Sequence, residues 1–143
     1  MSLKSITYAS TIVGDFVASD VVDLAERAAA YNAPSDVTGF LCQADGRFLQ
    51  SIEGDDEVIN RIYHTRIVPS RRHRDLRLIQ VTTLRARRFG SWSMGFANVL
   101  PEDRALVLRF FPTGAIEPER ITIEGAVEFL QALSVSADTF RLR

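Results

Sequence analysis

Asp45-Gly46 sits between two strand-like stretches, Val37 to Ala44 and Arg47 to Glu53, the second of which alternates with period two. This pairing constrains the fold more than any other feature of the chain. An Asp-Gly pair tolerates positive φ at both central positions of a tight turn, so the flanking runs are expected to close into an antiparallel hairpin. Helical spacing appears on either side of it. Ser19 can cap a helix that reaches Asn32, with Asp20 and Asp23 at its positive end, and Pro34 stops it. Gly54-Asp55 opens a second helix in which Val58, Ile59, Ile62, Tyr63, Arg66 and Ile67 recur at helical intervals, and Pro69 ends it. Leu3 to Ser10 reads as a first strand, Leu76 to Leu84 as a fourth, and a shorter one fits between Phe89 and Val99.

The order βαββαβ(β) predicts an α+β, ferredoxin-like sheet with two helices on one face. Right-handed crossovers are expected to set strands one and three side by side and parallel. Tyr8, which shares a face with Ile6, then stands close to Gln50 beneath the helices. Beyond the sheet, Pro101-Glu102-Asp103 opens a helix carrying Leu106, Val107, Phe110 and Phe111, and Pro112 and Gly114 break it. Another helix, from about Thr122 to Val135, presents Val127, Leu130 and Leu133. The expected division is a first domain over residues 1–99 and a C-terminal helical extension over residues 100–143 that caps the outer face of the sheet.

Composition excludes several classes. With 143 residues, 46% hydrophobic, 24% charged and a net charge of −1, the chain reads as a soluble globular protein. No apolar run approaches the roughly 18–20 residues needed to span a bilayer, and the N-terminus shows no signal-peptide core, so a cytoplasmic setting is expected. One cysteine, Cys42, rules out an internal disulfide and a cysteine-only metal site, and its apolar neighbours suit a buried filler. No metal site is expected. Arg71, Arg72, His73, Arg74, Arg85, Arg87 and Arg88 suggest nucleic acid, but 17 basic against 18 acidic residues and a pI near 6.1 point to a solvated patch. A hydrolase of the acylphosphatase kind needs an anion-binding loop after the first strand, and Ser10 to Asp15 lacks the arginine and glycine density for one.

Three polar residues carry the functional question. Gln50 shares its strand face with Phe48 and Ile52, where an unpartnered carboxamide costs about 1–3 kcal/mol. It is either a structural amide or one that serves a ligand. Tyr8 raises the same question, and so does Asn32 at the end of the stripe Val21, Val22, Ala25, Ala28, Ala29. Three alanines on an inward face bury little area. They mark either a close helix–sheet contact or room for a flat ligand. Arg66, on the face of Ile59 and Ile62, either snorkels to solvent or reaches a phosphate or carbonyl.

These residues fall in a set of short motifs: Ile6-Thr7-Tyr8-Ala9-Ser10, Tyr31-Asn32, Val37-Thr38-Gly39-Phe40-Leu41, Gly46 to Gly54, Arg72-His73, and Phe89-Gly90-Ser91-Trp92-Ser93-Met94-Gly95. In this order and spacing the chain resembles the BLUF family, sensors of blue light using flavin, over roughly residues 3–99. The resemblance implies non-covalent FAD, its isoalloxazine ring held between the two helices. It implies that Tyr8 gives an electron and a proton to the photoexcited flavin, that Gln50 lies between that tyrosine and the ring, and that Asn32 binds the ring's polar edge. Arg72 and His73 match a basic pair beside the flavin, and Arg66 a position near the phosphates. Trp92 and Met94 match residues that carry the signal outward.

Two positions depart from the family pattern. Tyr31 stands where an asparagine is common and Ser70 where an aspartate is common, and both are expected at the rim. The expectation is a non-enzymatic blue-light photoreceptor of the short, single-domain type. It would signal to a separate, unidentified protein or through a change in homo-oligomerisation, without nucleic acid or membrane. The competing readings are a small flavin-dependent redox enzyme, for which no base or nucleophile constellation is visible, and a ferredoxin-like interaction module without cofactor.

Overall fold

The hairpin forms where the Asp-Gly turn requires it. In a computed structural model, which describes every residue except 1, 16, 91–92, 100–102, 118–119, 121, 136–139 and 143, Asp45 and Gly46 take φ of 51° and 73°. Both lie in the left-handed region that this two-residue turn demands. It joins β2 (Thr38–Ala44) to β3 (Arg47–Asp55). Before them come β1 (Leu3–Ile12) and α1 (Ala18–Asn32). After them come α2 (Asp56–Ile62), β4 (His73–Leu84), β5 (Met94–Asn98), α3 (Arg104–Phe110), α4 (Ile123–Ser134) and the three-residue β6 (Phe140–Leu142).

The sheet runs β4-β1-β3-β2-β5-β6. This is the ferredoxin-like order, with one correction to the sequence reading. Strands β1 and β3 are neighbours but antiparallel. The right-handed crossover through α1 sets the direction of β2, and the tight hairpin then reverses β3 and slots it between β1 and β2. The register places Tyr8 directly opposite Gln50, with Leu41 across from Gln50 on its other side. The β1–β4 ladder slips between Thr7 and Tyr8 and again between Ala9 and Thr11. Such irregularities re-aim side chains, and here they flank Tyr8. Gly39 permits the close approach of β2 to β3, since a Cβ there would stand 2.6 Å from the Ser51 carbonyl oxygen.

Both faces of the sheet are covered. On the front, Ile6, Tyr8, Leu41, Phe48, Ile52, Met94 and Phe96 pack with Ala25 and Ala29 of α1 and Ile59 and Ile62 of α2. On the back, Phe40, Cys42, Leu49, Phe89 and Ala97 meet Val107, Phe111, Ala126, Phe129, Leu130 and Leu133. Residues of α3 and α4 thus pack on the back of the sheet, and β3 is buried on both sides instead of one. Pro101 and Glu102, read as the start of α3, lie outside the described residues, as does the side chain of Val21.

Helix boundaries follow local chemistry more than the apolar period. The N-cap of α1 is Val17, not Ser19, and its N–H donates to the Asp20 carboxylate at 2.9 Å. At α2, regular helix gives way after Ile62 to a π-turn over Tyr63–Ile67, closed by Val68 N–H to Tyr63 carbonyl at 2.9 Å. The wider turn breaks the expected stripe. Ile67 is buried and Arg66 swings outward.

The arginine run is also not one solvated patch. Arg87 donates to Thr38 Oγ1 and to the Asp36 carbonyl, both at 2.8 Å, and pairs with the Asp36 carboxylate at 3.2 Å. Among the described residues no helix is long and apolar enough to cross a membrane.

Candidate functional site

Between α1, the π-turn and the front of the sheet lies a cleft that opens to solvent. Its floor is Tyr8, Leu41, Phe48, Gln50, Ile52 and Met94, and its walls are Leu24 and Ala28 on one side and Ile62 and Ile67 on the other. Of the three alanines Ala28 faces the cleft, while Ala25 and Ala29 pack closely on the sheet. Asn32, Arg66, Arg72 and His73 all line the same cleft, as do Arg27, Tyr31 and Ser70.

The centre is a chain of three side chains. The Tyr8 hydroxyl donates a short hydrogen bond to Gln50 Oε1. The Gln50 amide then donates through Nε2 to Met94 Sδ at 3.7 Å. All three are buried, Met94 completely. The cross-strand register explains the first contact and the parallel β2–β5 pairing the second, because β5 runs beside the hairpin on the same face. Burial, helped by the neighbouring Tyr63 phenol, pushes the Tyr8 pKa well above its ordinary value. Tyr8 therefore keeps its proton at neutral pH and is a hydrogen-bond donor in this network.

Around the centre, other groups are held in fixed orientations. Asn32 donates from Nδ2 to the Ser93 carbonyl at 2.8 Å, tying the end of α1 to the residue before Met94. His73 Nε2 lies 2.8 Å from the Ile67 carbonyl, which can only accept, so this nitrogen carries a proton. Its Nδ1 is 2.6 Å from Ser10 Oγ, and its ring meets the edge of Tyr8 at 6.0 Å between centroids. Arg66 is exposed and stacks over the Tyr31 ring, 3.6 Å from its centroid. Trp92 lies outside the described residues.

Sequence reasoning missed two features. Tyr31 was placed at the rim, yet its hydroxyl is buried and lacks a partner among the described residues. An orphan of this kind costs about 1–3 kcal/mol. The second is Glu53, which is fully buried on the back of β3. Its carboxylate accepts from Thr38 Oγ1 at 2.8 Å and from the backbone N–H groups of Arg88 and Phe89, both at 2.9 Å. An acid on a strand face shared with Leu49 and Ser51 was the available signal.

The cleft suits a planar heteroaromatic ring with an anionic tail. Its walls are apolar, amides and a phenol lie at its floor, three arginines line it, and no aspartate or glutamate does.

Comparison with known proteins agrees. No curated protein sequence matches this one. Among solved structures, BlsA in its photo-activated state is 22% identical with a TM-score of 0.83, covering 95% of this chain and 97% of that one. BlsA in its ground state gives the same TM-score, so the fold alone does not distinguish the two states. BlrB, described as a BLUF protein in its dark state, is 25% identical with a TM-score of 0.75, covering 92% of this chain and 97% of that one. A bacterial light-regulated adenylyl cyclase matches at 21% identity and a TM-score of 0.70, and the match covers 78% of this chain but 32% of the cyclase. The family model for sensors of blue light using FAD matches residues 3–95. The chain belongs to the BLUF family of blue-light-sensing flavoproteins.

Proposed function

We propose that this protein is a blue-light photoreceptor whose switch is the chain Tyr8–Gln50–Met94, with FAD as the flavin. The observation that carries this reading is the single amide that touches a phenol through its oxygen and a thioether through its nitrogen. A bound flavin supplies blue-light absorption and, once excited, an acceptor for an electron. Tyr8 would supply that electron together with its phenolic proton, which burial keeps in place until then, and both would return to it on recombination, so that the flavin ends oxidised and the phenol intact. While the Tyr8 hydrogen is away the bond that holds Gln50 Oε1 is broken, and the amide can rotate or tautomerise. Either change exchanges its donor and acceptor ends. Reversal also withdraws the N–H from Met94 Sδ, which couples the rearrangement to β5. In low-dielectric surroundings each altered bond is strong enough to hold a second state.

Asn32, Arg66, Arg72 and His73 hold the cofactor in this reading, and Trp92 and Met94 relay the signal. Residues 1–99 act as the sensor and residues 100–143 as its helical cap. Output passes to a separate protein or through homo-oligomerisation, with no catalysis by this chain and in the cytoplasm. Absorption spectroscopy tests the proposal. Purified protein should be yellow and shift reversibly to the red under blue light. Gln50→Leu and Tyr8→Phe should both bind flavin and lose that shift. A normal reversible shift in either variant overturns the assigned switch.

A further inference from the structure

We infer that the outer edge of β4 is a docking site for an extended segment of a partner protein, apolar or β-branched in its middle and acidic at both ends, which adds to the sheet as a further strand. β4 hydrogen-bonds to β1 on one side, and no strand among the described residues pairs with its other side. At 12 residues it is also the longest described strand. A free edge offers its backbone N–H and C=O groups to any incoming strand, and proteins ordinarily shorten, charge or cover it. Here Leu78 to Leu84 reads Leu-Ile-Gln-Val-Thr-Thr-Leu, a strand-forming run without a charge, a proline or a glycine. Its inner ladder is regular from Gln80 to Leu84, opposite Thr7 to Leu3, so the outer groups there keep the spacing a new strand needs.

The side chains make the edge apolar on one face. Leu78 and Val81 pair with Tyr8 and Ile6 and so stand on the front of the sheet, where α2 packs over β1 and β3. Beyond the reach of that helix they are 48% and 47% exposed. Apolar side chains on a neighbouring strand would cover both.

Charge selects the occupant. Arg77 and Arg85 bracket the uncharged run, Arg71 and Arg74 extend the positive charge beyond Arg77, and all four are exposed. The one acid between Arg71 and Arg85 is Asp75, which lies 3.3 Å from Arg74. Among the described residues no carboxylate forms a salt bridge with Arg71, Arg77 or Arg85. A segment with Asp or Glu at each end sets an acid against each bracketing arginine in either strand direction. A second copy of this chain does the opposite. Antiparallel pairing centred on Val81, the middle of the run, brings Arg77 against Arg85 at both ends.

Fluorescence polarisation of a labelled, end-blocked peptide, Glu-Val-Thr-Val-Thr-Val-Thr-Val-Glu, titrated with the whole protein, tests the site. This peptide should bind saturably. The same peptide with Lys in place of both Glu should bind at least about tenfold more weakly. A Glu peptide with its central amides N-methylated keeps the side chains, loses the strand's hydrogen-bonding groups and should not bind. In the double variant Arg77→Glu, Arg85→Glu the preference should reverse towards the Lys peptide, with an unchanged urea midpoint because both positions are exposed. Size exclusion should give the same oligomeric state for wild type and Val81→Lys. A Glu peptide that does not bind, equal binding of the two charged peptides, binding that survives N-methylation, or an unchanged preference in the folded double variant overturns the inference. So does a wild-type dimer that Val81→Lys abolishes, since a second copy would then be the occupant of β4.

Discussion

The two faces of the sheet solve opposite problems with the same strands. On the back, β3 presents Leu49, Ser51 and Glu53, and every polar group there is matched. Thr7 donates to Ser51 at 3.0 Å, and Glu53 gathers a hydroxyl and two backbone N–H groups from Thr38, Arg88 and Phe89. Large rings fill the rest, with Phe129 meeting Phe111 edge-on at 5.1 Å and Phe110 at 5.7 Å. On the front, β3 presents Phe48, Gln50 and Ile52 to a cleft that Ala28 borders, and the Tyr31 hydroxyl is unpartnered. The back is closed and the front is open along its cleft. A switch needs this asymmetry, because a network free to rearrange must be mounted on a sheet that does not.

Truncation on the closed face should have the largest effect. Phe129→Ala removes a ring that is 0% exposed and should cost about 3–5 kcal/mol in urea unfolding. Flavin colour at low denaturant should survive in the fraction that remains folded. A loss below about 1 kcal/mol would mean that α4 does not hold the back face.

Glu53→Gln comes next, at about 2–4 kcal/mol, since an amide NH₂ must face at least one donor that the carboxylate now accepts from. Glu53 also anchors the segment that leads to Ser93 and Met94. The variant should therefore alter the dark-recovery rate as well, and an unchanged rate would separate the clamp from the switch.

Met94→Ala is expected to cost about 2 kcal/mol, the low end for a buried methionine, because the cleft beside it lets neighbouring side chains relax into the space left. The red shift should persist in this variant while the light–dark change in the fluorescence of Trp92, the sole tryptophan, shrinks. Wild-type amplitude in both measurements would make Met94 a filler.

The smallest effect is alkaline, and both faces contribute to it. Burial raises the pKa of the Tyr8 phenol on the front and, with Asp103 and Asp45 nearby, that of the Cys42 thiol on the back. Both groups stay protonated in the folded protein at a pH where the unfolded chain releases its protons. Stability should thus be flat below about pH 8.5 and fall as pH rises beyond the ordinary thiol and phenol values, by up to about 1.4 kcal/mol per pH unit for each group. Cys42→Ala should delay the onset of the decline, and Tyr8→Phe should reduce its slope above about pH 10. Stability that rises with pH there would contradict the burial of both.

Much of this was readable before any coordinates. The Asp45-Gly46 turn, the strand-like runs beside it and the flanking helical spacing determine the hairpin and the order of elements, because turn chemistry and side-chain alternation are local properties. That alternation also placed Gln50 with Phe48 and Ile52, and the motif set named Tyr8, Asn32 and Met94. Other features depend on contacts between distant segments and were decided only by the tertiary structure. The antiparallel β1–β3 pairing follows from how the crossover and the hairpin combine, which neither segment encodes alone. The second buried face of β3 appears only once α4 folds back over it. The π-turn at Tyr63–Ile67 is invisible to a count of apolar residues, yet it carries Arg66 from the core stripe to the face of Tyr31. Tyr31 itself, a departure from pattern in one dimension, has its hydroxyl buried beside a cleft in three. Sequence alone pointed to Tyr8, Gln50 and Asn32 as polar residues of the interior and passed over Glu53; only packing decided which buried groups found partners, since a hydrogen bond needs two groups brought together by the whole fold.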